Sequence, residues 1–187
     1  MTTLLIIIGI IVFVGLFGVA IYNRLVRLRA LVKEGFSGIT VQLRRRADLI
    51  PNLVETVKGY ASHEKATFEA ITAARGAASG AQGVAATAAA DAQMTGLIGR
   101  LFAVAEAYPE LRASENFQQL QAEISSIETE LQSARRYYNA TARDLNTRVQ
   151  SFPDLLFAKP LGFAEEEYYK DEDLAIQSAP KIDFQQA

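Results

Sequence analysis

The chain has 187 residues, no cysteine, no tryptophan, one histidine and a formal net charge of −2. This composition excludes disulfides, thiolate catalysis and cysteine-ligated metals, and with them zinc sites built on several histidines. The near-neutral average argues against a nucleic-acid binder, but it hides an asymmetry. The stretch from Arg24 to Lys58 is basic, whereas Glu165-Glu166-Glu167 and Asp171-Glu172-Asp173 make the C-terminal part acidic.

Leu4 to Tyr22 is an almost unbroken apolar run without a charged side chain. At the helical rise it spans about 29 Å, close to the roughly 30 Å hydrocarbon core of a bilayer. It is too long for the apolar core of a typical signal peptide, and no basic residue precedes it, so the expectation is a retained anchor. Arg24, Arg27, Arg29 and Lys33 all lie on its C-terminal flank. The positive-inside rule then predicts an inner (plasma) membrane protein with its N-terminus outside and the bulk of the chain cytoplasmic. The same four residues are the candidate lipid-headgroup contacts, each contributing roughly 1 kcal/mol with anionic lipid.

Four helical segments follow. Leu28, Val32, Phe36, Ile39, Leu43, Ala47 and Ile50 repeat with an eleven-residue period, the pattern of a nearly straight amphipathic helix. Gly35 and Gly38 within it are tolerable where a neighbouring helix packs closely. Pro51 is expected to end this helix and open a second, running to about Arg75; a single kinked helix is the alternative, because Ile50 and Leu53 keep the phase. Gly76, Gly80 and Gly83 predict a flexible connection. A third helix runs to about Tyr108 and is closed by Pro109. Ser114 is an expected N-cap for the fourth. That helix carries the most regular stripe, a heptad seam through Phe117, Leu120, Ile124, Ile127, Leu131, Ala134, Tyr138, Thr141 and Leu145. The expected fold is all-α: a transmembrane helix (1–23), a cytoplasmic antiparallel up-and-down four-helix bundle (24–153) and an acidic, largely irregular tail (154–187).

No segment announces a reaction. His63 beside Glu64 has no fixed nucleophile or metal partner in the sequence, so it reads as an exposed or interfacial residue. The glycines at 76, 80 and 83 lack the preceding strand and the Gly-Lys-Ser/Thr of a phosphate loop. Arg135-Arg136-Tyr137-Tyr138-Asn139 mixes bases and aromatics as a stacking platform does, but Tyr138 lies in the seam and reads as core. Arg44-Arg45-Arg46 fans across about 200° of a helix and cannot face one partner as a unit. The simple reading is a solvated run; the sharper one makes Arg44, Arg45 and Arg46 a contact for an acidic partner, such as Glu165, Glu166 and Glu167 of another copy.

Several stretches resemble the LemA family: Tyr22-Asn23-Arg24-Leu25-Val26, the run from Gln42 through Asp48-Leu49-Ile50-Pro51 to Tyr60, Arg136-Tyr137-Tyr138-Asn139, Phe152-Pro153, and Ala179-Pro180-Lys181-Ile182-Asp183-Phe184. The resemblance covers essentially the whole chain and departs in the 76–93 connection and the acidic 165–173 insert. It implies a bacterial single-pass membrane protein with a cytoplasmic four-helix bundle, and it brings no catalytic residues. The expected function is a non-enzymatic, membrane-anchored helical scaffold without cofactors, binding membrane lipids and self-associating or recruiting protein partners. Neither nucleic acid nor a small-molecule substrate is expected. The alternatives are a signalling or protease-associated adaptor that docks through its tail, and a hydrolase using His63.

Overall fold

The computed structural model describes residues 1–170. Among them the chain is helical without a strand: α1 Thr2–Lys58, α2 Lys65–Gly80, α3 Val84–Glu106, α4 Pro109–Ala113, α5 Glu115–Gln150 and α6 Asp154–Ala158. The Asp171-Glu172-Asp173 cluster and the Ala179–Phe184 motif lie outside the described residues. The described residues divide into two compact units, one formed by residues 1–53 and 115–168, the other by 54–114 with Tyr169 and Lys170.

The first unit is built on α1 and α5. Helix α1 runs for 57 residues through Pro51, so the expected break is absent and the single-helix alternative holds. Proline in a helix interior costs about 3 kcal/mol. Pro51 itself is exposed while Ile50, Leu53 and Val57 on either side of it are buried, and their burial keeps the helix intact. The apolar N-terminal segment and the amphipathic stripe are therefore parts of one continuous helix. The line of deepest burial is Leu25, Val32, Ile39, Arg46 and Leu53. That is a seven-residue repeat, not the eleven-residue one read from apolar positions, because the seam passes through a charged residue that an apolar pattern skips.

Helix α5 packs against α1 in antiparallel register. A Cβ on Gly35 would lie 3.0 Å from Tyr138 Cα, and one on Gly38 would lie 4.0 Å from Ala134 Cβ. Further along, Arg46 Nη1 reaches Glu128 Oε2 at 2.9 Å. As the α1 number rises, the α5 number falls. At Gly35 the two backbones approach so closely that only a residue without a side chain fits between them. The buried residues of α5 follow its heptad seam, with Leu120 and Ala134 half-buried and Asn146 and Arg135 added to it.

The second unit holds the last turn of α1, then α2, α3 and α4. Bonds from Tyr60 N and Ala61 N to Val57 O close α1. The turn at Gly59–Glu64 therefore divides the segment expected as one helix to Arg75. Helices α2 and α3 form a hairpin joined by Ala81-Gln82-Gly83. Phe68, Ile71 and Ala74 of α2 and Ala88, Met94, Leu97, Ile98, Leu101 and Ala105 of α3 are its buried apolar residues. Gly76 and Gly80, expected in a flexible connection, are helical. The surrounding alanines carry the helix past them, and only Gly83 falls in the turn, where it precedes α3. Tyr169 also belongs to this unit, its hydroxyl donating to the buried Asp91 Oδ2 at 2.6 Å.

Candidate functional site

Up to Leu16 the start of α1 is a sheath of exposed apolar side chains. Leu5, Phe13 and Leu16 are 67 %, 69 % and 67 % exposed. Scattered exposed apolar residues need no explanation, but a continuous sheath of this length is incompatible with water as its solvent. It contains the one segment among the described residues long and apolar enough to cross a membrane.

The four basic residues beyond it divide. Arg24, Arg27 and Lys33 are exposed. Arg29 is half-buried, its Cζ lying 4.5 Å over the ring of Phe163 in a cation–π contact. That ring also meets Tyr22 edge-on, with centroids 5.9 Å apart. Phe163 thus caps the junction between the apolar sheath and the packed part of α1.

Phe163 is brought there by the segment after α5. Asp154 opens α6, where a negative charge favours the helix dipole, and its buried carboxylate faces Arg148 Nη1 at 3.8 Å. Phe157 of α6 rests on α1: its ring lies edge-on to Phe17 at 6.4 Å, and a Cβ on Gly18 would be 3.4 Å from it. Gly162, at φ +75°, then reverses the chain; this left-handed conformation is one that L side chains resist. Beyond it, 163–168 form an extended strap on the first unit. Asn146 Nδ2 donates to Glu166 O at 2.9 Å, Asn146 Oδ1 accepts from Glu166 N at 2.8 Å, and the Tyr138 hydroxyl donates to Glu167 O at 2.6 Å. The part of the tail from 154 to 168 is therefore fixed on the helices. Its lack of periodicity signals an extended strap whose backbone groups are bonded by side chains.

The strap raises the Tyr138 phenol to about 12, first by burial and then through the nearby carboxylates of Glu166 and Glu167. Tyr138 is otherwise a core residue, as its place in the seam predicts, tilted against Phe36 at 5.9 Å.

The arginine triplet is split as its fan requires. Arg44 and Arg45 are exposed, but Arg46 is 2 % exposed and points into the first unit. It pairs there with Glu128, which also lies 3.8 Å from Arg135 Nη2. Arg46 is thus an internal ion-pair residue and is removed from the expected docking surface. Glu165 and Glu167 expose their side chains, whereas Glu166 is half-buried and held by its backbone. The residues that sequence reasoning missed are Asn146, Phe163 and Asp91. Their polar or isolated character carries no periodic signal; the only sign was a polar Asn146 directly after the seam residue Leu145.

His63 sits exposed in the turn between α1 and α2. An open groove of about 420 Å³ in the second unit is lined by Val54, Lys58, Phe68, Glu69, Thr72 and Ala73. No cluster of acidic or histidine side chains suited to a metal ion occurs among the described residues.

These features define a class: an all-helical protein whose first helix carries an N-terminal segment fit to cross a membrane. The chain belongs to the LemA family, whose family model matches residues 35–184. It is 24 % identical over 176 residues to magnetosome protein MamQ 2 of Paramagnetospirillum magneticum, covering 80 % of this chain and 65 % of that protein. The same figures hold for magnetosome protein MamQ of Magnetospirillum gryphiswaldense. Protein LemA of Metamycoplasma hominis is 29 % identical over 132 residues, covering 70 % of this chain and 60 % of the relative. The chain thus spans somewhat less than two thirds of the length of these curated relatives.

Proposed function

We propose that this protein is a single-pass, membrane-anchored helical scaffold that carries out no chemistry itself and presents its helical body at the cytoplasmic face of the inner membrane. The observation that carries the reading is the continuity of α1. One uninterrupted helix contains both the exposed apolar sheath and the buried seam that packs on α5. A rod of this kind transmits its anchor directly to the body, without a flexible linker. Exposed Arg24, Arg27 and Lys33 at the end of the sheath favour the cytoplasmic orientation and contact with anionic lipid. In this reading the helices after the anchor make an antiparallel four-helix bundle, and the outward faces of α1 and α5, with Arg44 and Arg45, meet protein partners or further copies of the chain. The magnetosome proteins among its relatives are in keeping with a role in organising membranes.

The test is extraction of the full chain from bacterial membranes. It should resist alkaline carbonate washing, leave the membrane only with detergent, and emerge in assemblies larger than one chain. Release by carbonate would overturn the anchor, and a strictly monomeric detergent extract at native abundance would overturn the scaffold.

A further inference from the structure

The apolar sheath of α1 is not the only exposed apolar surface at that end of the first unit. Phe152 is 80 % exposed, Leu156 61 %, Leu161 43 % and Leu155 39 %, all within the short stretch that contains α6. Their position is fixed by two contacts on α1. Phe157 lies against Phe17 and Gly18, and Phe163 lies against Tyr22 and Arg29. Helix α5 thus descends to the level of Asn23, α6 turns alongside the sheath, and the strap climbs back towards Asn146 and Tyr138. Phe17 and Gly18 precede Asn23 by a turn and a half of helix, which is about 8 Å along the axis. That depth matches the roughly 5–10 Å to which interfacial helices bury their apolar face below the headgroups.

We infer that α6 and its flanks are a second membrane contact: an apolar foot, Phe152, Leu155, Leu156 and Leu161, inserted into the lipid of the leaflet that α1 leaves at Tyr22. The inference rests on the reading of α1 as membrane-spanning and adds a lipid surface that this reading does not contain. Lipid is the occupant because the foot is continuous with the sheath. Any environment that covers Phe17 covers the residues beside Phe157. The charges agree. Lys159 and Arg148 are exposed near this level, suited to headgroup phosphates, and the strap carries Glu165–Glu167 away from the anionic surface. The foot makes the attachment two-pronged, fixing the rotation of the rod about its own axis, which a single helix in lipid leaves free.

The chain has no tryptophan, so single-tryptophan variants report one site each. Full-length Phe152→Trp, Leu156→Trp, Phe13→Trp and Tyr60→Trp would be reconstituted in vesicles of phosphatidylcholine with a minority of phosphatidylglycerol, with and without bromine-labelled acyl chains. The expected result is quenching by brominated lipid at positions 152, 156 and 13, several-fold stronger than at the exposed Tyr60 position, with little quenching by aqueous iodide. Iodide quenching at 152 and 156 like that at 60, with position 13 quenched by bromine, would overturn the foot and leave the anchor standing. Protection at 152 and 156 from both quenchers would mean that protein covers the foot, and would also overturn the inference. Absence of bromine quenching at position 13 would overturn the anchor, and the foot with it.

Discussion

Asn146 holds the backbone of Glu166 with both ends of its amide, donating through Nδ2 to the carbonyl and accepting through Oδ1 from the amide N–H, at 2.9 and 2.8 Å. The side chain does what a neighbouring strand would do for an extended segment, satisfying a donor and an acceptor at once. Asn146 is buried, and it bonds both backbone groups of the half-buried Glu166. Asn146→Ala should cost about 1–3 kcal/mol in a denaturation experiment, from the backbone groups left unpaired. It should also speed amide hydrogen exchange across 163–168 without affecting α2 and α3. Unchanged exchange in the strap would show that Phe163 alone fixes it.

The neighbouring bond predicts a pH dependence. Tyr138 donates to Glu167 O, and its pKa is raised from about 10 to about 12, chiefly by burial. A raised folded-state value means that the contribution is complete below pH 10 and is lost as pH rises through about 12. The phenolate can no longer donate and faces Glu166 and Glu167. Alkaline titration should therefore release the strap, seen as late phenolate absorbance in the wild type. Tyr138→Phe should remove that late component and be less stable at neutral pH by about 1 kcal/mol, the net value of a typical hydrogen bond. A wild-type titration with every tyrosine ionising near 10 would contradict this.

Two glycines separate close packing from helix propensity. At Gly35 a Cβ would press to 3.0 Å on the Cα of Tyr138, backbone that cannot step aside, whereas at Gly76 it would meet nothing within 4 Å. Gly76→Ala should stabilise the protein by about 0.5–1 kcal/mol through helix propensity. Gly35→Ala should destabilise it by about 1–3 kcal/mol, because overpacking outweighs the same propensity gain. Equal effects at the two sites would argue that α1 and α5 are farther apart than described.

Arg46 and Glu128 predict a strong asymmetry between breaking and replacing an ion pair. Glu128→Gln removes one negative charge from beside the buried Arg46 guanidinium and the nearby Arg135. Glu128 is partly exposed, so the expected cost is about 2–3 kcal/mol, below that of a fully buried pair. The double variant Arg46→Met with Glu128→Leu should recover most of this. Thermal denaturation of the three proteins measures it; a double variant no more stable than Glu128→Gln would contradict the account.

The legible parts of this chain were those with an apolar period. The sheath of α1, the seam of α5 from Phe117 to Leu145 and the close approach at Gly35 could all be read from residue type and spacing. Misreadings arose where a single residue outvoted its neighbours. Pro51 signals a break, but the buried Ile50, Leu53 and Val57 hold the helix through it. Gly76 and Gly80 signal a loop, but surrounding alanines hold theirs. Arg46 looks like surface because charge usually is, and only the position of Glu128 on another helix turns it inward. The strap was illegible for a different reason. Its order comes from Asn146 and Tyr138, which precede it by 20 and 29 residues, and such long-range bonds leave no local pattern.

The most direct test of the membrane-spanning arrangement uses the absence of cysteine. Thr3→Cys and Ser62→Cys, the latter in the exposed turn before α2, would each be treated in intact spheroplasts with a maleimide that cannot cross the membrane. The account predicts labelling at position 3 from outside, and labelling at position 62 only after lysis. Labelling at position 62 in intact spheroplasts would place the helical body on the outer side and contradict the arrangement.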